Sequence, residues 1–474
     1  LFLDSSSTPR LQLKSKKKFT APDGEVLTRI KSSKETIKDI IPICKENIVT
    51  RISNITYMDK LYIPNYSAIL PGTQDAIWVY SGKGLTNDDA KASALMEAIE
   101  RYCSLSETHS TTFIRGTYKD LSKSYNKVLH PNEVVEFVNH IYDDENSLAD
   151  FLIGFDLLNN ERVLVPAQLV LSKYNAKPPA IEIFPNSHTN GLASGNVLEE
   201  AIYHALCEVI ERDASSIAEL CASSIPYSIL EGIADSLGKS ENGGYLINRI
   251  SAAEKFVDDG NIFRRVDISE IVKDSRPVNL LVKRFTDSGI ALLIKDITQK
   301  DIGIPTFIAS SVEWITHNYG YFAKGYGAHI DSKTALIRAI TEVSQTRAVN
   351  IQGARDDLRK IQYKDDDEIY KRKWPFMNLS RPHNQTENKN KKNDIIKFNE
   401  IKTQINNDIL DDIRLILTRL KRAGLERAIV VDLTNPKIGI PVVRAIVPGL
   451  ETFEITGSIM GVRAKRYFKK IHFK

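Results

Sequence analysis

The chain of 474 residues carries 64 basic and 60 acidic side chains for a formal net charge of +4, with 42% hydrophobic and 26% charged residues. That balance allows a sizeable buried core and demands no nucleic-acid partner. No run of about 18 apolar residues occurs, so no membrane-spanning helix is expected, and LFLDSSSTPR lacks the basic and apolar stretches of a signal peptide.

Residues 1–15 are polar and read as a mobile arm, followed by the basic run Lys16 to Lys18. Residues 34–46 read as a short helix. From about 62 onward, the short apolar runs WVYSGKG, DFLIGFDLL, RVLVPAQLVL, VNLLVKRF and IALLIKDI alternate with helical patterns. Strands alternating with helices at this spacing predict an α/β or α+β fold. Residues 361–406 carry the acidic run Asp365 to Glu368 and then RPHNQTENKNKKND, which reads as a polar loop or insertion. Order is expected to resume at 407. There Ile413, Ile416, Leu417 and Leu420 form a helical stripe, Gly424 ends the helix, and Ala428 to Val431 begin a strand. The division is therefore an extension over 1–61, a core over 62–360, the polar insertion, and a C-terminal segment over 407–474. None of Cys44, Cys103, Cys207 and Cys221 forms a CxxC pair, which argues against a zinc site. Cys103 and Cys207 fall in helical patterns and are expected to be buried thiols in a reducing, cytoplasmic compartment.

Three helical segments repeat one plan. They are TNDDAKASALMEAIERY from Thr86, NVLEEAIYHALCEVIERD from Asn196 and DSKTALIRAITEVSQTR from Asp331. Each follows a glycine-containing stretch and opens on an N-cap residue, Thr86, Asn196 or Asp331. Asn196 with Glu199 resembles a capping box. Each helix is expected to end on a pair at i, i+3: Glu97/Glu100, Glu208/Glu211 and Glu342/Gln345. Ser93, Glu97, Glu100 and Arg101 share one face, while Leu95, Ala98, Ile99 and Tyr102 lie opposite. Asn196, Glu200, Glu208 and Glu211 share the polar side of the second helix, and Arg338, Glu342 and Gln345 that of the third.

On one helix such a pair is ordinary. Glu97 with Arg101 and Glu208 with Arg212 are i, i+4 ion pairs of an exposed surface. Three occurrences at matching distance from three helix starts point further. Converging carboxylates repel unless cations sit among them, and Mg²⁺ combines a few carboxylates with phosphate oxygens. The pattern thus fits Mg²⁺ bound to a polyphosphate. No Walker loop is present. Lys83, in SGKG before the first helix, is either a plain turn lysine or a phosphate ligand. His188, His204 and His329 lie near these segments, and His204 reads as a structural histidine rather than a proton carrier.

GKGLTNDDAKASALMEAIER and GLASGNVLEEAIYHALCEVIER resemble the two most distinctive signatures of the YcaO family, and TALIRAITEVSQTR resembles its third. The C-terminal GIPVVRAIVPGL and GVRAKRYF also look family-like, so the likeness covers most of the chain. It implies a YcaO-type fold with a non-Walker ATP site, and makes 62–360 the catalytic core that 407–474 completes. By this resemblance Glu97, Glu100, Glu208, Glu211 and Glu342 would bind two or more Mg²⁺ ions. Ser93, Asn196, Glu200, Arg101, Arg212, Arg338, Lys83 and Gln345 would hold ATP. Lys18, Thr28 and Arg29 would come from a segment that reaches the nucleotide. The implied reaction adds a nucleophile to a backbone amide, whose oxygen then attacks the γ-phosphate of ATP.

The end KRYFKKIHFK differs from the proline-rich tail of azoline-forming cyclodehydratases. The chain more closely resembles stand-alone archaeal members of the methanogenesis-marker type. Those imply thioamide formation on a glycine of methyl-coenzyme M reductase, a sulfide source, a TfuA-type partner for sulfur delivery, and a homodimer. Ring formation in a peptide natural product and a non-catalytic nucleotide-binding scaffold are the alternatives.

Overall fold

In the computed structural model, the described residues are 11–20, 28–73, 75, 77–108, 113–136, 138–185, 187–222, 263–314, 320–353, 395–453 and 459–466. The longer helices are α1 (Ser33–Asn47), α2 (Asn87–Ser104), α3 (Leu198–Ala222), α4 (Arg276–Asp287), α5 (Ser332–Gln352) and α6 (Ile409–Arg422). The chain divides into two compact units. The first comprises Leu1–Ile48, Met96–Val209 and Asn406–Leu450, and the second Val49–Leu95, Ile210–Ile405 and Glu451–Lys474. Helices α2 and α3 have residues in both.

The first unit is built on an antiparallel sheet in the order β4 (Ile114–Gly116), β5 (Ala149–Asp156), β13 (Ile429–Asp432), β14 (Val442–Ile446) and β7 (Leu192–Ser194). Strand β6 (Glu161–Pro166) pairs with β5 as a hairpin. All five residues of β14 are buried. A strand buried on both faces reads as a continuous apolar run, which makes the charged Arg444 in VVRAI an exception that needs a local reason.

The second unit holds a three-stranded meander, β1 (Arg51–Asn54), β2 (Asn65–Ile69) and β3 (Val79–Lys83). It also holds a sheet in the order β11 (Gly320–Ala328), β10 (Thr306–Trp314), β9 (Ala291–Asp296), β8 (Arg265–Asp267) and β12 (Ile395–Lys397), of which only the β8–β12 pairing is parallel. Ala335, Leu336, Ala339, Ile340 and Val343 of α5 pack with Phe307 and Phe285 in one apolar core.

Each repeated segment becomes a strand, a short turn and a long helix. The caps hold as expected at two of the three. Thr86 Oγ1 accepts the Asp89 N–H at 3.1 Å and the Asp89 carboxylate accepts the Thr86 N–H in return. Asp331 accepts from the N–H groups of Lys333 and Thr334. The glycines let strand and helix touch. A Cβ at Gly82 would collide with backbone atoms of Ala90 and Ala94, and one at Gly327 with those of Ala335 and Ala339. Small residues on both partners bring the helix face against the strand.

Several expectations are corrected. VNLLVKRF is not a strand but lies within α4, whose Val278, Leu281 and Phe285 are buried. Their i, i+3, i+7 spacing is helical, and proline in the first turn suits a helix start. RVLVPAQLVL splits into β6 and a helical turn at Ala167–Val170. The pair Glu97/Glu100 falls near the end of α2 at Ser104, but the pairs Glu208/Glu211 and Glu342/Gln345 do not end their helices, because α3 runs to Ala222 and α5 to Gln352. The expected insertion over 361–406 lies outside the described residues up to 394, and its last part is not a loop throughout, since Ile395–Lys397 form β12, which pairs with β8. Residues 11–15 of the expected arm are docked. Lys14 N–H donates to Glu199 Oε1 at 2.7 Å, and Lys16 N–H to Asp408 Oδ1 at 3.1 Å. The helix predicted over 34–46 is α1, capped by a Ser32/Glu35 box. The stripe from Ile413 to Leu420 is α6, and Gly424 follows it with φ +82.

Candidate functional site

In the first unit, the second half of α2 presents Glu97, Glu100 and Arg101. Arg101 Nε donates to Glu97 Oε1 at 3.0 Å, the expected i, i+4 pair. Glu100 turns inward instead. It is 7% exposed and accepts the Ser194 N–H of β7 at 2.9 Å and the Ser194 hydroxyl at 3.3 Å. Burial pushes its carboxyl well above the ordinary range, and the charges of Glu97 and Glu208 push the same way. Two helices, α2 and α3, thus bring carboxylates to one place beside β7.

Arg444 of β14 belongs to the same cluster. It is 1% exposed, and its Nη2 donates to His188 Nδ1 at 3.0 Å. Burial pulls its guanidinium down to about 10, against the opposing pull of Glu136, Glu208 and Glu100. His188 Nε2 in turn meets Glu136 Oε1 at 2.6 Å. Nδ1 also accepts the Asn190 N–H at 3.2 Å, so the hydrogen-bond pattern assigns the ring proton to Nε2. The described residues leave Arg444 Nε and Nη1 with no hydrogen-bond acceptor.

At the start of α3, Glu200 rather than Glu199 closes back on Asn196. Its Oε2 accepts the Asn196 N–H at 2.7 Å and Nδ2 at 2.9 Å. Glu199 is committed to the Lys14 N–H, so the expected Asn196/Glu199 box does not form. Thr36 of α1 donates to Asn196 Oδ1 at 2.9 Å. The other Glu200 oxygen accepts the Ile30 N–H at 2.5 Å, and Arg29 Nη1 stands 3.7 Å from Glu200. Arg29 therefore does reach the second motif. Lys18 pairs instead with the buried Asp412 of α6 at 2.5 Å.

In the second unit, Lys83 at the end of β3 forms an ion pair with Glu342 of α5. It is thus no mere turn lysine. The other Glu342 oxygen accepts the Tyr326 N–H at 3.3 Å. Glu211 of α3 accepts the Ala328 N–H at 2.9 Å, and Arg338 Nη1 donates to the Ala328 carbonyl at 3.4 Å. Burial, then Glu342, pushes the Glu211 carboxyl up to about 7. Burial works against Glu342 as well, but Lys83 and Arg212 outweigh it and hold that carboxyl low. Gln345 donates its amide to the Ser81 carbonyl and so ties α5 to β3. Ser93 is half-buried on α2.

The predicted residues are therefore grouped, not scattered. Glu97, Glu100, Arg101 and Glu208 meet in the first unit, as do Asn196 and Glu200 at the start of α3. Lys83, Glu211, Arg212, Arg338 and Glu342 meet in the second. Glu208 and Glu211 stand one turn apart on α3. Among the described residues, no three His, Cys, Asp or Glu side chains are close enough to hold a metal by themselves. Mg²⁺ needs no such cluster of its own, since it takes one or two carboxylates and completes its shell with water and phosphate oxygens. In the first unit, the buried Glu100, pushed up by burial and then by Glu97 and Glu208, with Arg101 nearby and the buried Arg444 with unused donors, fits a magnesium–polyphosphate ligand. Sequence reasoning missed Glu136 and Arg444 and gave His188 no role. The available signal was a lone arginine inside the apolar strand PVVRAIV.

Comparison with known proteins agrees. The model for YcaO cyclodehydratase, described as ATP- and Mg²⁺-binding, matches residues 81–451. An uncharacterised protein of Methanothermobacter thermautotrophicus is 31% identical over 418 residues, covering 88% of this chain and 93% of the relative. An uncharacterised protein in the tfuA 3′ region of Rhizobium leguminosarum bv. trifolii is 28% identical over 457 residues, covering 94% of each. Among solved structures, YcaO from Methanopyrus kandleri bound with AMPPCP and Mg²⁺ aligns with a TM-score of 0.61 at 20% identity, covering 91% of this chain and 95% of that one. A heterocyclase in complex with substrate and cofactor aligns with a TM-score of 0.67 at 21% identity over 94% of this chain, which spans 55% of that longer protein. At these identities the structural likeness speaks to the fold.

Proposed function

The chain belongs to the YcaO family of ATP- and Mg²⁺-dependent amide-activating enzymes, and from that premise we propose that it converts a backbone amide of a protein or peptide into a thioamide. The observation that carries the nucleotide part is the clustering of glutamates with basic side chains within each unit, Glu97, Glu100 and Glu208 with Arg101 in the first and Glu211 and Glu342 with Arg212, Arg338 and Lys83 in the second. The sulfur part is supported by likeness to a protein encoded beside tfuA. A TfuA-type partner would deliver sulfur, and the resemblance offers a glycine of methyl-coenzyme M reductase as the candidate target.

The chemistry explains the residue types. Amide oxygen is a poor leaving group, and phosphorylation makes it a good one. Hydrosulfide adds to the amide carbon, the oxygen takes the γ-phosphoryl group and ADP departs. The C–O bond then breaks, releasing phosphate, and the sulfur loses its proton as the C=S bond forms. Such a reaction asks for positioning and charge stabilisation rather than a protein nucleophile. We assign Glu97, Glu100, Glu208, Glu211 and Glu342 to Mg²⁺, which when bound would offset phosphate charge. Ser93, Asn196, Arg101, Arg212, Arg338 and Lys83 would hold nucleotide oxygens. Glu200 would orient Asn196, and Gln345 would hold the strand that carries Lys83. Burial pushes the thiols of Cys44 and Cys103 up to about 12, so neither suits a sulfur carrier.

Calorimetric titration of AMPPCP with and without Mg²⁺ tests the nucleotide part. Binding should require Mg²⁺ and weaken at least about tenfold in Glu208→Gln and Glu342→Gln, each of which removes a charged ligand. Absence of binding by folded wild type would overturn it. The second reading, cyclodehydration, is favoured by the cyclodehydratase description of the matching family. Mass analysis of a modified target separates the two: oxygen exchanged for sulfur, or one water lost.

A further inference from the structure

We propose that Arg444 is a ligand for the phosphoryl groups beyond the first in the bound nucleotide, held in place by His188 and Glu136. The assignment rests on the nucleotide reading above and extends it to residues outside the three repeated helices.

Arg444 is 1% exposed, in a strand whose every residue is buried. A charged group there is expensive unless it is paired. Its one described partner is His188 Nδ1, which accepts and so carries no proton. That contact orients the guanidinium but does not neutralise it. The Nε and Nη1 donors remain without acceptors among the described residues. No carboxylate of the cluster reaches them within hydrogen-bond distance, although Glu100, Glu136 and Glu208 act on Arg444 by charge.

A buried cation held by a neutral partner, with donors in hand, is built for an anionic oxygen that arrives later. The carboxylates around it identify which oxygen. Glu100 and Glu208 are the groups assigned to Mg²⁺, which when bound would offset the charge of the outer phosphates of a nucleotide. Arg444 shares their surroundings, so its donors are assigned to the same phosphates.

The rest of the arrangement fixes the guanidinium. Glu136, itself buried, accepts from His188 Nε2, and the Asn190 N–H braces the other side of the ring. Glu136 and His188 are therefore positioning residues, acting through Arg444.

The test compares Mg²⁺-dependent affinities for AMPPCP and AMP, measured by calorimetry on the full chain, with a thermal melt of each variant. Wild type should prefer AMPPCP. In Arg444→Gln that preference should fall at least about tenfold while AMP affinity holds. Arg444→Lys should fall between, and Glu136→Gln should reduce the preference by a smaller factor. A role confined to packing would move both affinities together or neither. An unchanged preference in folded Arg444→Gln overturns the assignment, and if that variant does not fold, an unchanged preference in Arg444→Lys overturns it. Failure of wild type to bind either nucleotide with Mg²⁺ would instead remove the nucleotide reading, and this assignment with it.

Discussion

Glu100, Glu211 and Glu342 share one device: each helical carboxylate spends an oxygen on a strand N–H, from Ser194, Ala328 and Tyr326 respectively. The strand fixes the side chain, and the second oxygen is left for other uses. At Glu100 this arrangement costs stability, because burial and the charges of Glu97 and Glu208 oppose ionisation. Glu100→Gln keeps an acceptor for the Ser194 N–H and removes the repelling charge. The melting temperature should hold or rise, while Mg²⁺-dependent AMPPCP affinity falls at least about tenfold. Glu100→Ala also strands the Ser194 N–H and should lose about 1–3 kcal/mol of stability in a urea melt. A Glu100→Gln variant that unfolds early and binds normally would place the residue in the scaffold.

At the scale of elements, the repeated unit is a strand glycine lying flush on helix alanines. Gly82 meets Ala90 and Ala94, and Gly327 meets Ala335 and Ala339. The contact sets how closely β3 and β11 approach the helices that carry the candidate ligands. Added methyl groups must push helix backbone, which does not yield as a flexible side chain would. Gly82→Ala and Gly327→Ala should each cost about 1–3 kcal/mol. Gly289→Ala offers the contrast: nothing lies within 4 Å of its Cβ position, and its cost comes only from φ +66. Urea melts of the three variants check the ordering. VNLLVKRF, expected as a strand, is helical. A short apolar run is ambiguous until its period is counted, and here Val278, Leu281 and Phe285 count as helix.

For the whole molecule, among the described residues no helix is long and apolar enough to cross a membrane. The fold holds the predicted residues in two groups, one in each unit. A ligand that binds only the native state stabilises it by mass action, about 2.7 kcal/mol at a hundred times its dissociation constant. AMPPCP with Mg²⁺ should therefore raise the melting temperature, and chelating the metal should remove most of that gain. A rise that is equal with and without metal would count against the glutamates as metal ligands.

The three repeated helices, two of their caps and the α/β class were legible in the residues alone, because each depends on signals within a few positions. Periodicity, an N-cap and a following apolar face all act locally. The likeness to the family rested on the same local segments. Which residues meet could not be read that way. At the start of α3, Glu200 takes the place expected of Glu199, while Glu199 accepts from Lys14 of the distant N-terminal segment. Arg444 is a lone charge in the buried strand β14 and drew no assignment from the sequence. Its meaning came from His188, 256 positions away, and from Glu136 beyond it. Burial and pairing across such separations are set by the packing of strands on helices, so a sequence can show that a charge sits in a core strand while only the tertiary structure shows what it is there to hold.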